Sequence, residues 1–278
     1  YLLQHKIIPL NNYYRKRKLK ILTLIIIIIF ILNLVCPYFD NDLKIIFFSV
    51  GQGDSILCSL GVEHILIDGG GKTGYDSNQG QKVLLPYFKK FGIRKLDLVF
   101  ITHFDRDHAL GIVSVLQKRK VDLLMLPQGF KNNKLSQKII AVAANKQIPI
   151  KLVKRGNMIK TNTISFNVLN PNSNNEFRDR NENSIVLKMF YNNFSILLTG
   201  DMGKSGEMSL VRSRYNINCD ILKLGHHGSN TSSHELFIKR VAPEAAVVSV
   251  SKNNVYGHPS HLVINRIKDN NIPLWRTD

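Results

Sequence analysis

The chain has 278 residues, 44% of them hydrophobic, with 38 Lys and Arg against 20 Asp and Glu for a formal charge of +18. That apolar content excludes a disordered or collagen-like polymer, and the length supports one large domain or two small ones. Cys36, Cys58 and Cys219 are odd in number and widely spaced. They form neither a disulfide framework nor a C-x-x-C motif, so a metal here must use His and carboxylates.

The first elements are basic, then apolar. Residues 1–18, which do not open on Met, carry Lys6, Arg15, Lys16, Arg17 and Lys18 without an acid and read as the cytoplasmic end of a longer membrane domain. Residues 21–36 (ILTLIIIIIFILNLVC) hold no charge. Sixteen helical residues rise about 24 Å. Leu19, a snorkelling Lys20 and the aromatic Tyr38 and Phe39 extend the run, which predicts a transmembrane helix over residues 19–39. The rival reading, a signal peptide, lacks an A-x-A-like cleavage site. Bases precede the run and Asp40, Asn41 and Asp42 follow it, so the positive-inside rule puts the N-terminus in the cytoplasm and the remainder on the extracellular side of the cell membrane. Beyond residue 20 the chain still carries 32 bases against 20 acids. Such a charge favours anionic partners such as nucleic acid, teichoic polymers or an acidic membrane face.

From residue 43 short β-rich runs take over, at 43–50, 55–60, 64–67, 97–102, 121–126, 150–153, 163–169, 184–191, 194–199, 220–224 and 245–250. Helical patterns fall at 81–91, 108–118, 134–145, 204–215, 234–241 and 259–270. Many strands in two groups with interspersed helices predict two sheets face to face with helices outside, an α/β sandwich over residues 43–278 rather than one doubly wound sheet. The polar stretch 170–183 reads as a surface loop.

Three apolar runs end in potential metal ligands. Residues 98–101 lead into Thr102-His103-Phe104-Asp105-Arg106-Asp107-His108, residues 197–198 into Thr199-Gly200-Asp201, and residues 222–224 into Gly225-His226-His227-Gly228-Ser229. Strands that deliver Asp and His to one edge of a sandwich assemble the convergent ligand set of a two-metal centre. Asp54 and Asp68 lie in Gly-flanked turns after strands, where a Gly permits close backbone approach and an Asp equally makes an Asx turn. His258, between Gly257 and Pro259, stands at a helix start, facing the same pocket or the surface.

The pattern resembles the metallo-β-lactamase superfamily, with its H-x-H-x-D-H loop, distant bridging Asp and later His. Asp105 stands where the second His of that loop usually sits. This departure, with Val50-Gly51-Gln52-Gly53-Asp54-Ser55, Ile67-Asp68-Gly69-Gly70 and Tyr256-Gly257-His258-Pro259-Ser260, is similar to the C-terminal domain of the ComEC DNA-uptake competence proteins. The resemblance implies a four-layer αββα sandwich with two divalent ions, Mn²⁺ or Zn²⁺ first and Mg²⁺ next. It implies His103, Asp105 and Asp201 on one ion, and Asp107, His108, Asp201 and one of His226 or His227 on the other. His227 is assigned to metal and His226 to phosphate, although the motif alone leaves their order open. The family's third His is missing, since no His stands between Ala109 and Met202; Asn183 completes the shell or merely enters a strand. Asp54, Asp68, Ser229 and His258 fall to support or substrate contact.

The function so implied is a membrane-tethered phosphodiesterase or nuclease that degrades DNA during natural transformation, with Asp107 and His226 catalytic. Its partners would be DNA, the membrane, and the channel portion of a longer protein or other competence proteins. Hydrolysis of a smaller extracellular ester and a non-catalytic DNA-binding role in uptake are the alternatives.

Overall fold

The computed structural model describes residues 10–35, 42–71, 78–172 and 179–278. Helix α1 (Leu10–Val35) forms where the apolar run predicts one, with Leu19 to Leu32 exposed along its length. Among the described residues no helix is long and apolar enough to cross a membrane. The side chains at 33–39, the end of the expected span, lie outside the described residues. Helix α1 belongs to one unit of the chain, and Leu43–Ser59 with Glu63–Asp278 forms the other.

That second unit holds two sheets. The first has six strands in sequence order, β1 (Lys44–Phe47), β2 (Ile56–Leu60), β3 (Glu63–Ile67), β4 (Lys95–Phe100), β5 (Lys120–Pro127) and β6 (Ile150–Val153). Strands β3 to β6 run parallel. The second has seven, β7 (Met158–Lys160), β8 (Ser165–Asn170), β9 (Val186–Tyr191), β10 (Phe194–Leu198), β11 (Ile221–Lys223), β12 (Ala245–Val248) and β13 (Leu274–Arg276). It is antiparallel from β7 to β10 and parallel from β10 to β13. Strands β7 and β13, three residues each, are absent from the sequence reading because so short a run shows no period.

The strand pleat sorts the apolar residues into layers. Leu57, Leu66 and Val99 pack with Phe88, Ile112 and Ile139 of α2 (Leu85–Lys90), α3 (Arg106–Lys118) and α4 (Lys134–Asn145) on one outer face. Leu197, Leu222 and Ala246 pack with Leu210, Phe237 and Val263 of α5 (Lys204–Arg212), α6 (Glu235–Val241) and α7 (His261–Asp269) on the other. Between the sheets, the Phe100 and Phe166 rings meet at 5.3 Å. The expected α/β sandwich is therefore present, with α5 ending at Arg212, three residues before the predicted 215. Each large apolar side chain buried in it contributes about 1.5–3 kcal/mol.

Candidate metal centre

The carboxyl ends of parallel strands from both sheets meet at one edge, where a central strand stops and its next residues are free to turn inward. Strand β3 leads into Asp68, β4 leads through Ile101 and Thr102 to His103, β10 leads into Thr199-Gly200-Asp201, and β11 runs through Leu224 into the turn Gly225–Gly228. Asp105 is the N-cap of α3 but makes no side-chain cap bond, which leaves its carboxylate for other partners. The start of α3 is pressed onto the turn after β3. Gly69 N–H donates to His108 O at 2.7 Å and Gly111 N–H to Gly70 O at 2.8 Å. A Cβ at Gly111 would lie 1.9 Å from Gly69 O, so this approach requires glycine.

Three imidazoles point into the edge through the same atom. His108 Nδ1 lies 2.8 Å from Asp68 Oδ2, His227 Nδ1 lies 2.9 Å from Ser249 O, and His103 Nδ1 lies 3.1 Å from Thr102 Oγ1. The Nε2 atoms are thereby left to face Asp201, at 3.8 Å for His103, 3.2 Å for His108 and 3.6 Å for His227. These three Nε2 atoms and Asp201 Oδ1 are buried without a hydrogen-bond partner. Buried polar atoms are almost always paired, and a convergent set of orphaned lone-pair atoms has the chemistry of a cation site. His103, His108 and Asp201 form one group able to hold an ion, and Asp107, His108 and His227 form another. The residues present therefore fit a divalent metal.

The charges agree with that assignment. Burial opposes the charged form of the His108 imidazole, but the Asp201 and Asp68 carboxylates outweigh it and hold the group well above its ordinary range. His227 is raised likewise, against burial, by Asp201 and Asp107. His103 is lowered by burial and by its neighbour His108. Asp201 is held well below the carboxylate range because His108 and His227 overcome its burial. Without a cation, the charged forms of His108 and His227 are the ones favoured beside these carboxylates; a divalent ion would take the place of their protons.

The remaining predicted residues fall around this cluster. Asp105 Oδ2 is 4.0 Å from His103 Nε2, while Oδ1 pairs with Arg180 at 3.1 Å. Asp107 is half-buried, 3.6 Å from His227 Nε2. Asp68 accepts from Thr102 N–H at 2.8 Å and Thr102 Oγ1–H at 2.6 Å, so it orients His108 from behind. Asp54 pairs with the fully buried Lys223 Nζ at 2.5 Å. His226 and His227 both adopt left-handed backbone (φ 48° and 53°), and the side chains diverge. His227 is buried among the ligand atoms, whereas His226 lies half-buried beside Asn181 Nδ2 at 3.4 Å and Thr231 Oγ1 at 3.3 Å. The His258 ring sits 6.0 Å from that of His226 and stacks on Tyr256 at 5.8 Å. Ser229 bonds to Thr231 Oγ1 at 2.9 Å, and Asn183 Nδ2 donates to Asp179 O at 3.0 Å, so both tie loops at the rim.

Sequence reasoning passed over Lys223, Thr102 and Ser249. Lys223 had a signal: it interrupts the apolar run Ile221-Leu222-Lys223-Leu224, and a lysine in a central strand needs a buried counter-charge. Thr102 holds His103 Nδ1 and Asp68, and the Ser249 carbonyl holds His227 Nδ1; neither position carried a signal in the chain.

Residues 49–252 match the metallo-beta-lactamase superfamily. The chain is 34% identical over 258 residues to ComE operon protein 3 of Bacillus subtilis (strain 168), covering 88% of this chain and 33% of that protein. It is 32% identical over 241 residues to competence protein ComA of Neisseria gonorrhoeae, covering 86% of this chain and 31% of that one. The chain thus spans about a third of the length of the curated relatives it matches. Among solved structures, the metallo-beta-lactamase fold protein YhfI from Bacillus subtilis superposes with a TM-score of 0.56 at 12% identity, over 84% of this chain and 96% of that one. This chain belongs to the metallo-beta-lactamase superfamily, as its motifs implied, and its curated relatives include ComE operon protein 3 and competence protein ComA.

Proposed function

We propose that this chain is the phosphodiesterase domain of a ComEC-like DNA-internalisation protein, one that holds two divalent cations and cleaves DNA outside the cell. The observation that carries the reading is the convergence of three orphaned imidazole Nε2 atoms on Asp201. The DNA part is supported by the relatives, one of them named a competence protein and another the product of a ComE operon, and by the basic charge of the chain. In this reading His103, Asp105 and Asp201 would hold one ion, and Asp107, His108, Asp201 and His227 would hold the other. A carboxylate has the lone pairs to serve two cations at once, so Asp201, which faces all three imidazoles, would be available to both. Helix α1, basic before its apolar run, would tether the domain to the membrane with the basic end inside.

Bound divalent ions supply Lewis acidity to a phosphoryl oxygen and lower the pKa of water near them. The chain does the rest. Asp68 and the Ser249 carbonyl hold His108 and His227 in the tautomer that presents Nε2. Asp107, whose carboxyl is kept ionised against burial by His227 and His108, accepts the proton of the attacking water. His226, steadied by Asn181 and Thr231 at the mouth, donates to a phosphate oxygen, with His258 beside it.

The full chain, stripped of metal and given back Mn²⁺, Mg²⁺ or Zn²⁺, should cleave single- or double-stranded DNA, and Asp107→Asn and Asp201→Asn should abolish that cleavage. Stoichiometric metal binding with turnover of a small phosphodiester but not of DNA would replace the nuclease with a small-ester hydrolase. Metal binding with no turnover at all would leave a non-catalytic uptake module.

A further inference from the structure

A basic cleft adjoins the metal centre. The cleft at the centre, about 390 Å³, is lined by the acids Asp179, Glu182 and Asp201 together with Lys204, His226 and Thr231 among others. A larger one of about 650 Å³ is lined by Arg155, Lys204, Ser205, Ser209, Arg212 and Ser213, with Met208. Lys204 belongs to both, so the two clefts adjoin through its side chain. Among the described residues no carboxylate lines the larger cleft.

The local sequence explains the arrangement. Lys204, Met208 and Arg212 are spaced by four along α5, and Ser205 and Ser209 follow the same spacing one residue on, so these five line one side of the helix, with Ser213 just past its end. Lys204 to Arg212 is eight residues, about 12 Å along the axis. That exceeds the roughly 3.4 Å axial rise per phosphate that one strand has in a duplex, so the face reaches beyond a single phosphate. Arg155, in the turn between β6 and β7, is held onto this face. Its Nε donates to Leu169 O at 2.7 Å and Nη2 to Ser209 Oγ at 3.0 Å. Glu182, the nearby acid, is engaged by the backbone N–H groups of Ser205 and Gly206 at 3.2 and 2.7 Å. The α5 face therefore presents cations and hydroxyls in a row, starting three residues beyond Asp201.

We infer that this face is a backbone track: a nucleic-acid strand whose scissile phosphate lies at the metal centre continues past Lys204 onto Arg155 and Arg212, held by its phosphates and without reading of sequence. The inference rests on the DNA reading above, and adds where the strand lies.

The test uses the full chain with fluorescein-labelled dT20, in chelator so that no turnover occurs, and follows affinity by anisotropy from 50 to 200 mM KCl. Each of Lys204→Gln and Arg212→Gln should lower the slope of log affinity against log salt by about 0.7, the value of one single-strand phosphate contact. Arg212→Lys should restore it. Lys120→Gln and Lys146→Gln alter a basic cleft elsewhere, lined by Lys118, Arg119, Lys120 and Lys146, and should leave the slope in place. Equal losses from those two variants, or no loss from Lys204→Gln and Arg212→Gln at an unchanged melting temperature, overturns the track. A greater dependence on Lys204 and Arg212 for polyphosphate than for dT20 overturns nucleic acid as its occupant. The two readings fail separately. Strand binding through Lys204 and Arg212 without cleavage by the metal-loaded chain sinks the nuclease alone, and cleavage with binding indifferent to both residues sinks the track alone.

Discussion

Asp68 stands behind His108, with Oδ2 2.8 Å from the Nδ1 atom and Oδ1 accepting the Thr102 N–H at 2.8 Å. A buried carboxylate so placed fixes the ring's tautomer and raises the basicity of Nε2. Asp68→Asn should therefore weaken divalent-ion binding by about 10- to 100-fold while the fold persists. Isothermal titration with Mn²⁺ or Zn²⁺ checks this. Unchanged affinity would mean that His108 is oriented by its packing alone.

The Asp54–Lys223 pair is buried on both sides, and burial alone would raise the Asp54 carboxyl; Lys223 overcomes that and keeps it low. Removing one partner leaves an uncompensated charge, so Lys223→Met should cost about 3–5 kcal/mol in denaturant unfolding. Adding Asp54→Asn should recover part of the loss, because the stranded charge is gone. A double variant no more stable than the single one would locate the cost in packing rather than charge.

Glu207 is fully buried, and burial pushes its carboxyl up to about 7 even though the N–H groups of His234 and Ser233 pull the other way. The native state thus binds this proton more tightly than the unfolded chain, whose value is near 4.5. The stabilisation is complete below about pH 4.5 and is lost as pH rises through about 7, amounting to about 3 kcal/mol. Relative to Glu207→Gln, the wild type should lose stability steadily between those values and no further above them. Parallel unfolding-free-energy curves for the two proteins from pH 4.5 to 8 would rule this out.

Gly111 meets Gly69 backbone to backbone, so Gly111→Ala cannot be relieved by rotating a side chain. The strain should cost about 1–3 kcal/mol. Since α3 carries Asp107 and His108, metal affinity should fall along with melting temperature. A variant that loses stability but binds metal like the wild type would show that α3 can shift without moving its ligands.

The membership of each strand was legible wherever an apolar run exceeded about four residues and ended in Gly, Asp or His, as at residues 97–102 and 194–199. Strands β7 and β13 were not, since three-residue runs owe their pairing to the neighbour in the sheet rather than to their own pattern. The stretch 204–215 reads as one helix by periodicity, yet α5 stops at Arg212, where the Ser213 hydroxyl donates to Leu210 O at 2.6 Å and ends the last turn.

The candidate residues at the metal edge were readable in the chain because their placement is local: His103, Asp201 and His227 come within a few residues of the ends of β4, β10 and β11, and Asp107 and His108 open the helix that follows β4. Tertiary structure alone decided how they face. His226 and His227 are neighbours with the same chemistry, and the left-handed turn between β11 and the next loop sends one inward and leaves the other at the mouth. It also decided that Asp54 would meet Lys223, Asp68 would meet His108, and Arg155 would meet the α5 face. Those pairs form across sheets and helices far apart in the chain, where no sequence spacing encodes a distance.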